Sequence, residues 1–136
     1  MLIDMHAHTS GVSHCCVLPP EEIVRIAKET GLDGIVLTNH YAKDYVTVDK
    51  YINEYEITKA EGEKIGLKVF FGIEVTVVWN PRIHLLVYGV TTDFLREHPA
   101  LYDMSQEELY TLVHQYGGVL VQAHPFRESC RPQDPR

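Results

Sequence analysis

Asp4-Met5-His6-Ala7-His8 stands at the head of the chain, directly after the apolar Met1-Leu2-Ile3. The stretch reads as a first strand. Alternate side chains of a strand share a face, so Asp4, His6 and His8 point one way and Ile3, Met5 and Ala7 the other. Two imidazoles on one face at a strand's end can hold one metal ion between them, and imidazole is the commonest protein ligand for a transition metal. Asp4 could orient one of the rings from behind. The competing reading is a polar hairpin of half-exposed histidines. The Asp-x-His-x-His spacing at a chain start favours metal.

Six of the eight histidines lie in or beside predicted strands or in the first loop: His6, His8, His14, His40, His84 and His124. His40 and His124 fall at the C-terminal ends of apolar runs, where α/β folds gather their chemistry. Glu74 sits in the middle of a Val- and Phe-rich run, with Thr76 on the same face. A buried, ionised glutamate without a partner costs several kcal/mol. A metal is the simplest partner, and a carboxylate can bridge two; a salt bridge to Arg or Lys is the alternative. His114, beside Val113, reads as a surface or half-buried helix residue, and His98, before Pro99, as a helix stop. Cys15, Cys16 and Cys130 form no Cys-x-x-Cys pair, so free thiols are expected. Because Cys15 and Cys16 follow His14, one thiolate is a minor candidate to replace a histidine on a metal.

The elements that must position these residues alternate. After the loop from Thr9 to Leu18, Pro19-Pro20 opens a helix with Glu21 and Glu22 in its first turn. Its expected buried stripe is Ile23, Ile26 and Ala27, and Gly31 ends it. Gly34 to Thr38 is a short strand with Asn39-His40 just past its end. A helix is predicted from Val48 to Ile65, with Tyr51, Ile52, Tyr55 and Ala60 inward and Gly66 as its stop. Leu67 to Val78 is a buried strand, Trp79 to Arg82 a turn, and His84 to Tyr88 another strand. Thr92-Asp93 opens a short helical turn. Ser105-x-x-Glu108 is a capping box, and the helix behind it shows Leu109, Leu112, Val113 and Tyr116 before Gly117-Gly118. Val119 to Val121 reads as a buried strand. From Phe126 to Arg136 there is no periodicity. Strands alternating with helices define an α/β class with a mostly parallel sheet.

The 136 residues suffice for one domain with a core, and 45% hydrophobic residues is ordinary for a globular chain. No apolar run approaches the ~20 residues of a membrane span, and the N-terminus lacks the basic and apolar regions of a signal peptide. A cytoplasmic protein is expected. The net charge of −7 argues against a nucleic-acid partner for this chain alone.

Asp4-x-His6-x-His8, Asn39-His40 after a strand, Gly72-x-Glu74, His84 and Ala123-His124-Pro125 together resemble the PHP (polymerase and histidinol phosphatase) superfamily in order and approximate spacing. The likeness runs from residue 2 to about 127, and Gly-x-Glu before a strand-starting His resembles its phosphoesterase branch. The resemblance implies part of a distorted (β/α)7 barrel, about its first five strands, and up to three divalent metal ions. It implies one metal on His6, His8 and Glu74, a second on Glu74, His84 and His124, and a third on His14 and His40. Asn39 stands where the family more usually has Asp. An Asp-x-His that closes the family's site has no counterpart after His124, and Asp134-Pro135-Arg136 does not fit it. The expectation is therefore one PHP-like domain over 1–136, truncated at its C-terminal end, with an open sheet edge that invites self-association.

The reaction so implied is hydrolysis of a small phosphorylated substrate, of nucleotide, sugar phosphate or histidinol-phosphate type. Paired cations lower the pKa of a shared water and neutralise phosphate oxygens. Glu74 and Arg127 are the catalytic candidates; Arg127 could hold a phosphate oxygen by a forked hydrogen bond, or be a solvated tail residue. Nitrogen and oxygen ligands suit Zn²⁺, Mn²⁺ or Fe²⁺ alike. The rivals are an amidohydrolase-type metal hydrolase and a non-catalytic metal-binding remnant or interaction module.

Overall fold

The computed structural model describes residues 1–127, and Cys130 and the Asp134 segment lie outside them. One sheet organises the chain. Its strands are β1 (Ile3–Ala7), β2 (Gly34–Leu37), β3 (His40–Tyr41), β4 (Lys68–Thr76), β5 (His84–Tyr88) and β6 (Val119–Gln122). The order is β1-β2-β4-β5-β6, and the two-residue β3 pairs with the far end of β4. The helices are α1 (Pro20–Glu29), α2 (Val48–Ile65), α3 (Thr92–Glu97) and α4 (Gln106–Gln115). This is an α/β fold with a curled, half-barrel sheet, as the sequence led one to expect. The Tyr88 hydroxyl spans the concave face from β5 and donates to the Met5 carbonyl in β1 at 2.7 Å.

The sheet is less parallel than the alternation of elements implies. β1, β2, β3 and β4 are joined in parallel, but β4–β5 and β5–β6 are antiparallel. The connection between β4 and β5 is a short loop over residues 77–83, and a parallel crossover needs a dozen or more residues. The reversal matters for function. Thr76 at the end of β4 pairs with His84 at the start of β5, so a strand's first residue arrives at the same rim as the last residues of its neighbours.

Helix ends follow the local rules. Thr47 accepts from the Lys50 amide at the start of α2, and Gly66 closes α2 in the left-handed conformation at φ 73°. Ser105 and Glu108 form the reciprocal capping box of α4. The helices cover the convex face of the sheet. Phe71, Ile73, Val75, Leu85 and Val87 pack there against Tyr51, Ile52, Phe94, Leu109 and Val113. A second cluster joins Val24 and Ala27 of α1 to Ile35, Leu37 and Val69. Each such aliphatic or aromatic burial stabilises the fold by about 1.5–3 kcal/mol.

Several inward residues differ from expectation. Val24 and Pro20, not Ile26, line the buried face of α1 with Ala27. In α2 the buried positions besides Tyr51 and Ile52 are Glu54, Thr58 and Gly62, while Ala60 is exposed. Gly62 is there because a Cβ would meet the Leu67 carbonyl at 2.6 Å, where the chain turns back into β4. In α4, Leu109 and Val113 are buried, whereas Tyr116 is exposed. In β1 the register with β2 shifts between Asp4 and Ala7, and Met5 is exposed on this edge strand. β6 is not a buried strand: Val119 is 53% and Val121 43% exposed, because β6 forms one edge of the sheet. Among the described residues no helix is long and apolar enough to cross a membrane.

Candidate metal centre

Glu74 is the hub of the concave rim. Gly72 precedes it on the same face, and a Cβ there would meet Thr38 Cγ2 at 2.7 Å and Val36 Cγ1 at 2.9 Å. That close packing against β2 brings the Glu74 carboxylate, fully buried, to the mouth of the sheet. Five imidazoles converge on it. On Oε2, His6 Nε2 lies at 2.9 Å, His8 Nε2 at 3.1 Å and His40 Nδ1 at 3.5 Å; on Oε1, His84 Nδ1 and His124 Nε2 both lie at 3.2 Å.

Each ring reaches Glu74 by a different local device. His6 projects from β1, and His8 stands one residue past its end. The chain breaks out of β2 at Thr38-Asn39 and pairs again as β3, which sets His40 directly opposite Glu74. His84 arrives because β5 is antiparallel. His124 follows β6 at φ 31°, a left-handed backbone that a non-glycine residue adopts at a cost and that clusters at functional sites.

The electrostatics follow from this crowding. Burial alone would raise the Glu74 carboxyl, but contacts from His6, His8 and His84 and the charge of His40 outweigh it and hold it well below the usual carboxylate range. The hydrogen bond to Glu74 raises His6 against the opposing effect of burial. His40 is lowered to about 4, chiefly by burial, with the neighbouring imidazoles adding to the effect and Glu74 opposing it.

The donor set fits divalent cations. Ligand atoms of His6, His8 and Glu74 lie within 4.8 Å of one another, as do those of His40, Glu74 and His84 and those of His8, Cys15 and His40. Among the described residues, His124 Nδ1 is buried without a hydrogen-bond partner. Imidazole and carboxylate ligands suit Zn²⁺, Mn²⁺ and Fe²⁺, and a thiolate would favour zinc.

The cluster opens into a cavity of about 430 Å³ that Cys15 and Arg127 also line. Arg127 is exposed at its edge, its backbone amide bonded to the His124 carbonyl at 3.1 Å. Of the predicted metal ligands only His14 is not brought to Glu74. It is exposed, its ring 4.7 Å from that of Tyr45, and its amide donates to the Tyr45 hydroxyl at 2.8 Å. Cys15, next along the loop, enters the cavity instead. Asp4 accepts from the His6 backbone amide at 3.0 Å instead of orienting a ring. His98 caps the end of α3, and His114 is exposed. A larger hollow of about 750 Å³ against α4 is lined by His98, Glu107 and Glu108 as well as Met104 and Leu112, but among the described residues their ligand atoms do not come together as those around Glu74 do.

Sequence reasoning missed the supports. Asn39 is buried and bonds Thr9 and Ser13, and Glu54 on α2 accepts from the Gly11 amide at 3.1 Å. Both hold the loop that carries His14 and Cys15. Nothing in the periodicity marks them.

The sequence pattern of the PHP domain matches residues 4–127, and the chain belongs to that family. A solved structure from Bifidobacterium adolescentis, provisionally assigned as a metal-dependent phosphoesterase, superposes with a TM-score of 0.56 at 18% identity, covering 94% of this chain and 69% of its own. That likeness shows the fold. An amidohydrolase from Chromobacterium violaceum, solved with sulfate and without metal, aligns at a TM-score of 0.48 and 21% identity over 71% of this chain and 31% of its own. None of the curated proteins matches. The family and the imidazole–carboxylate cluster together support a metal-dependent hydrolase.

Proposed function

We propose that this chain is a metal-dependent phosphoesterase domain acting on a small phosphorylated substrate. The observation that carries the reading is the convergence of five imidazoles on the buried carboxylate of Glu74 at a cavity mouth. His6, His8 and Glu74 would hold one cation, and Glu74 with His84, His40 and His124 a second. Such cations supply an acidified water and neutralise phosphate oxygens.

The chain's own residues do the rest. Glu74 brings one negative charge to a site whose other ligands are neutral when unprotonated, so the loaded site stays net positive and attracts a phosphate dianion. The imidazoles, packed ring against ring, hold each other's orientation; His8 and His40 lie 4.5 Å apart and His84 and His124 5.1 Å apart. Arg127, which lines the cavity edge, would fork onto phosphate oxygens.

The Bifidobacterium likeness supports the phosphoester over the amidohydrolase reading. Release of inorganic phosphate from a panel of nucleotides and sugar phosphates, with Zn²⁺, Mn²⁺ or Fe²⁺ supplied, tests it. Turnover that disappears with chelator and weakens in Arg127→Ala through a raised KM is the expected result. A metal-loaded protein that hydrolyses none of the panel but cleaves amide or amidine substrates would overturn it.

A further inference from the structure

The two nitrogens of His8 face different neighbours. Nε2 lies 3.1 Å from Glu74 Oε2, inside the cluster. Nδ1 lies 3.0 Å from Ser13 Oγ, outside it. Which nitrogen bears the proton decides which one offers a lone pair to a cation. The surrounding hydrogen bonds settle the choice, starting from a backbone amide whose proton is fixed.

Thr9 N–H donates to Asn39 Oδ1 at 2.8 Å, and Asn39 Nδ2 donates to Thr9 Oγ1 at 3.0 Å. The amide of Asn39 is thereby oriented, its oxygen toward the Thr9 nitrogen. That same oxygen lies 2.8 Å from Ser13 Oγ. It carries no hydrogen, so the proton between the two oxygens belongs to Ser13. The His40 backbone N–H donates to Ser13 Oγ as well, at 3.0 Å. A hydroxyl has one proton and two lone pairs. Here the proton is committed to Asn39 and one lone pair to His40. What remains for His8 is the other lone pair, so His8 must donate from Nδ1.

Ser13 and Asn39 are both fully buried, at 0% and 1% exposure, so water does not compete for these bonds. With Nδ1 protonated, a neutral His8 turns the lone pair of Nε2 onto the Glu74 carboxylate. Two acceptors at that distance repel, and the contact is favourable only with positive charge between them, either a proton on the ring or a metal cation.

We propose that Ser13, oriented by Asn39, is a positioning residue that fixes the tautomer of His8 and so presents its Nε2 as a cation ligand. The inference rests on the reading of the cluster as a metal centre. The arrangement also ties the loop before α1 to β3, because the hydroxyl that serves His8 is the one that receives the His40 amide. Without it the ring is free to adopt the Nε2–H form, which points a proton where the cation must sit.

The test reads proton position and affinity, not turnover. In zinc-loaded, histidine-¹⁵N-labelled protein, long-range ¹H–¹⁵N correlations should show His8 coordinated through Nε2 with a slowly exchanging proton on Nδ1. Ser13→Ala should lose that protected proton and weaken zinc binding by about 10–100-fold in competition with a chromogenic chelator, the usual effect of removing such an outer partner. Asn39→Asp keeps both acceptor contacts and should retain tautomer and affinity. Asn39→Leu should behave as Ser13→Ala. Coordination of wild-type His8 through Nδ1 overturns the proposal even if every variant fails to fold. A folded Ser13→Ala protein whose affinity falls by less than about tenfold overturns it too. If the phosphoester reading alone is wrong, the wild-type tautomer and the affinity loss persist while phosphate release is absent.

Discussion

Replacing Glu74 by glutamine keeps the shape of the side chain and removes one buried negative charge. The carboxylate is at 0% exposure and within 2.9–3.5 Å of five imidazole nitrogens. A unit charge about 4 Å from another, at the effective dielectric of ~20 that describes partly buried sites, is worth about 4 kcal/mol. At about 1.4 kcal/mol per tenfold, Glu74→Gln should weaken divalent-metal binding on the order of a thousandfold. The assay is competition with a chromogenic chelator on protein first stripped of metal, with elemental analysis of the unstripped preparation alongside. His14→Ala, whose side chain is exposed beside Tyr45, should lose less than about tenfold. Thr76→Val, half-buried on the same face of β4, controls for damage to the strand. Equal affinities for Glu74→Gln and His14→Ala would refute the reasoning, since the buried charge would then contribute nothing to the cation. Equal losses from Thr76→Val would show that strand disruption was being measured.

Other outcomes follow from the same geometry. Gly72→Ala forces a Cβ to within 2.7 Å of Thr38 Cγ2 and 2.9 Å of Val36 Cγ1, which should destabilise the protein by about 1–3 kcal/mol in urea unfolding; an unchanged midpoint would mean the sheet yields there. The metal-free protein should lose stability as pH falls from about 6.5 to about 4. His40, lowered in the fold, takes up its proton first in the unfolded chain, and Glu74, held low, adds to the loss below its ordinary value of 4.5. His6, which is raised, acts in the opposite direction: it stabilises the fold below 6.5, and that contribution fades as pH rises through its folded value. Thermal melts should therefore peak near pH 6.5, and His40→Asn should flatten the acid limb; an unaltered acid limb would remove His40 from the account. The β1 and β6 edges, with Met5, Val119 and Val121 exposed, should drive concentration-dependent self-association in sedimentation. Val119→Lys together with Val121→Lys should suppress it, and association undiminished by these changes would place the contact elsewhere.

Most of the elements and the candidate ligands were legible in the sequence. The Val48–Ile65 helix and the His84–Tyr88 strand have the bounds expected of them, because a terminal glycine and a preceding turn are local signals. The capping box of α4 was legible for the same reason. Asp-x-His-x-His, Gly-x-Glu and Ala-His-Pro named the residues that meet at the cavity, since residue type and strand-end position survive without knowledge of packing. Tertiary structure decided what depends on neighbours distant in sequence. The antiparallel turn of β5 brings His84 to the rim, and the break after β2 sets His40 against Glu74. Val119 to Val121 read as buried because they are apolar, but burial is set by whether a strand lies beside them, and β6 is an edge. Ile26 and Ala60 read as inward because a helical period fixes spacing and not the phase of the face, which packing against the sheet chooses. The hydrogen bonds from Thr9 through Asn39 and Ser13 to His8 join residues up to 30 apart in the chain. A polar residue's partner is fixed by where the backbone brings a donor or acceptor, and no spacing rule encodes that.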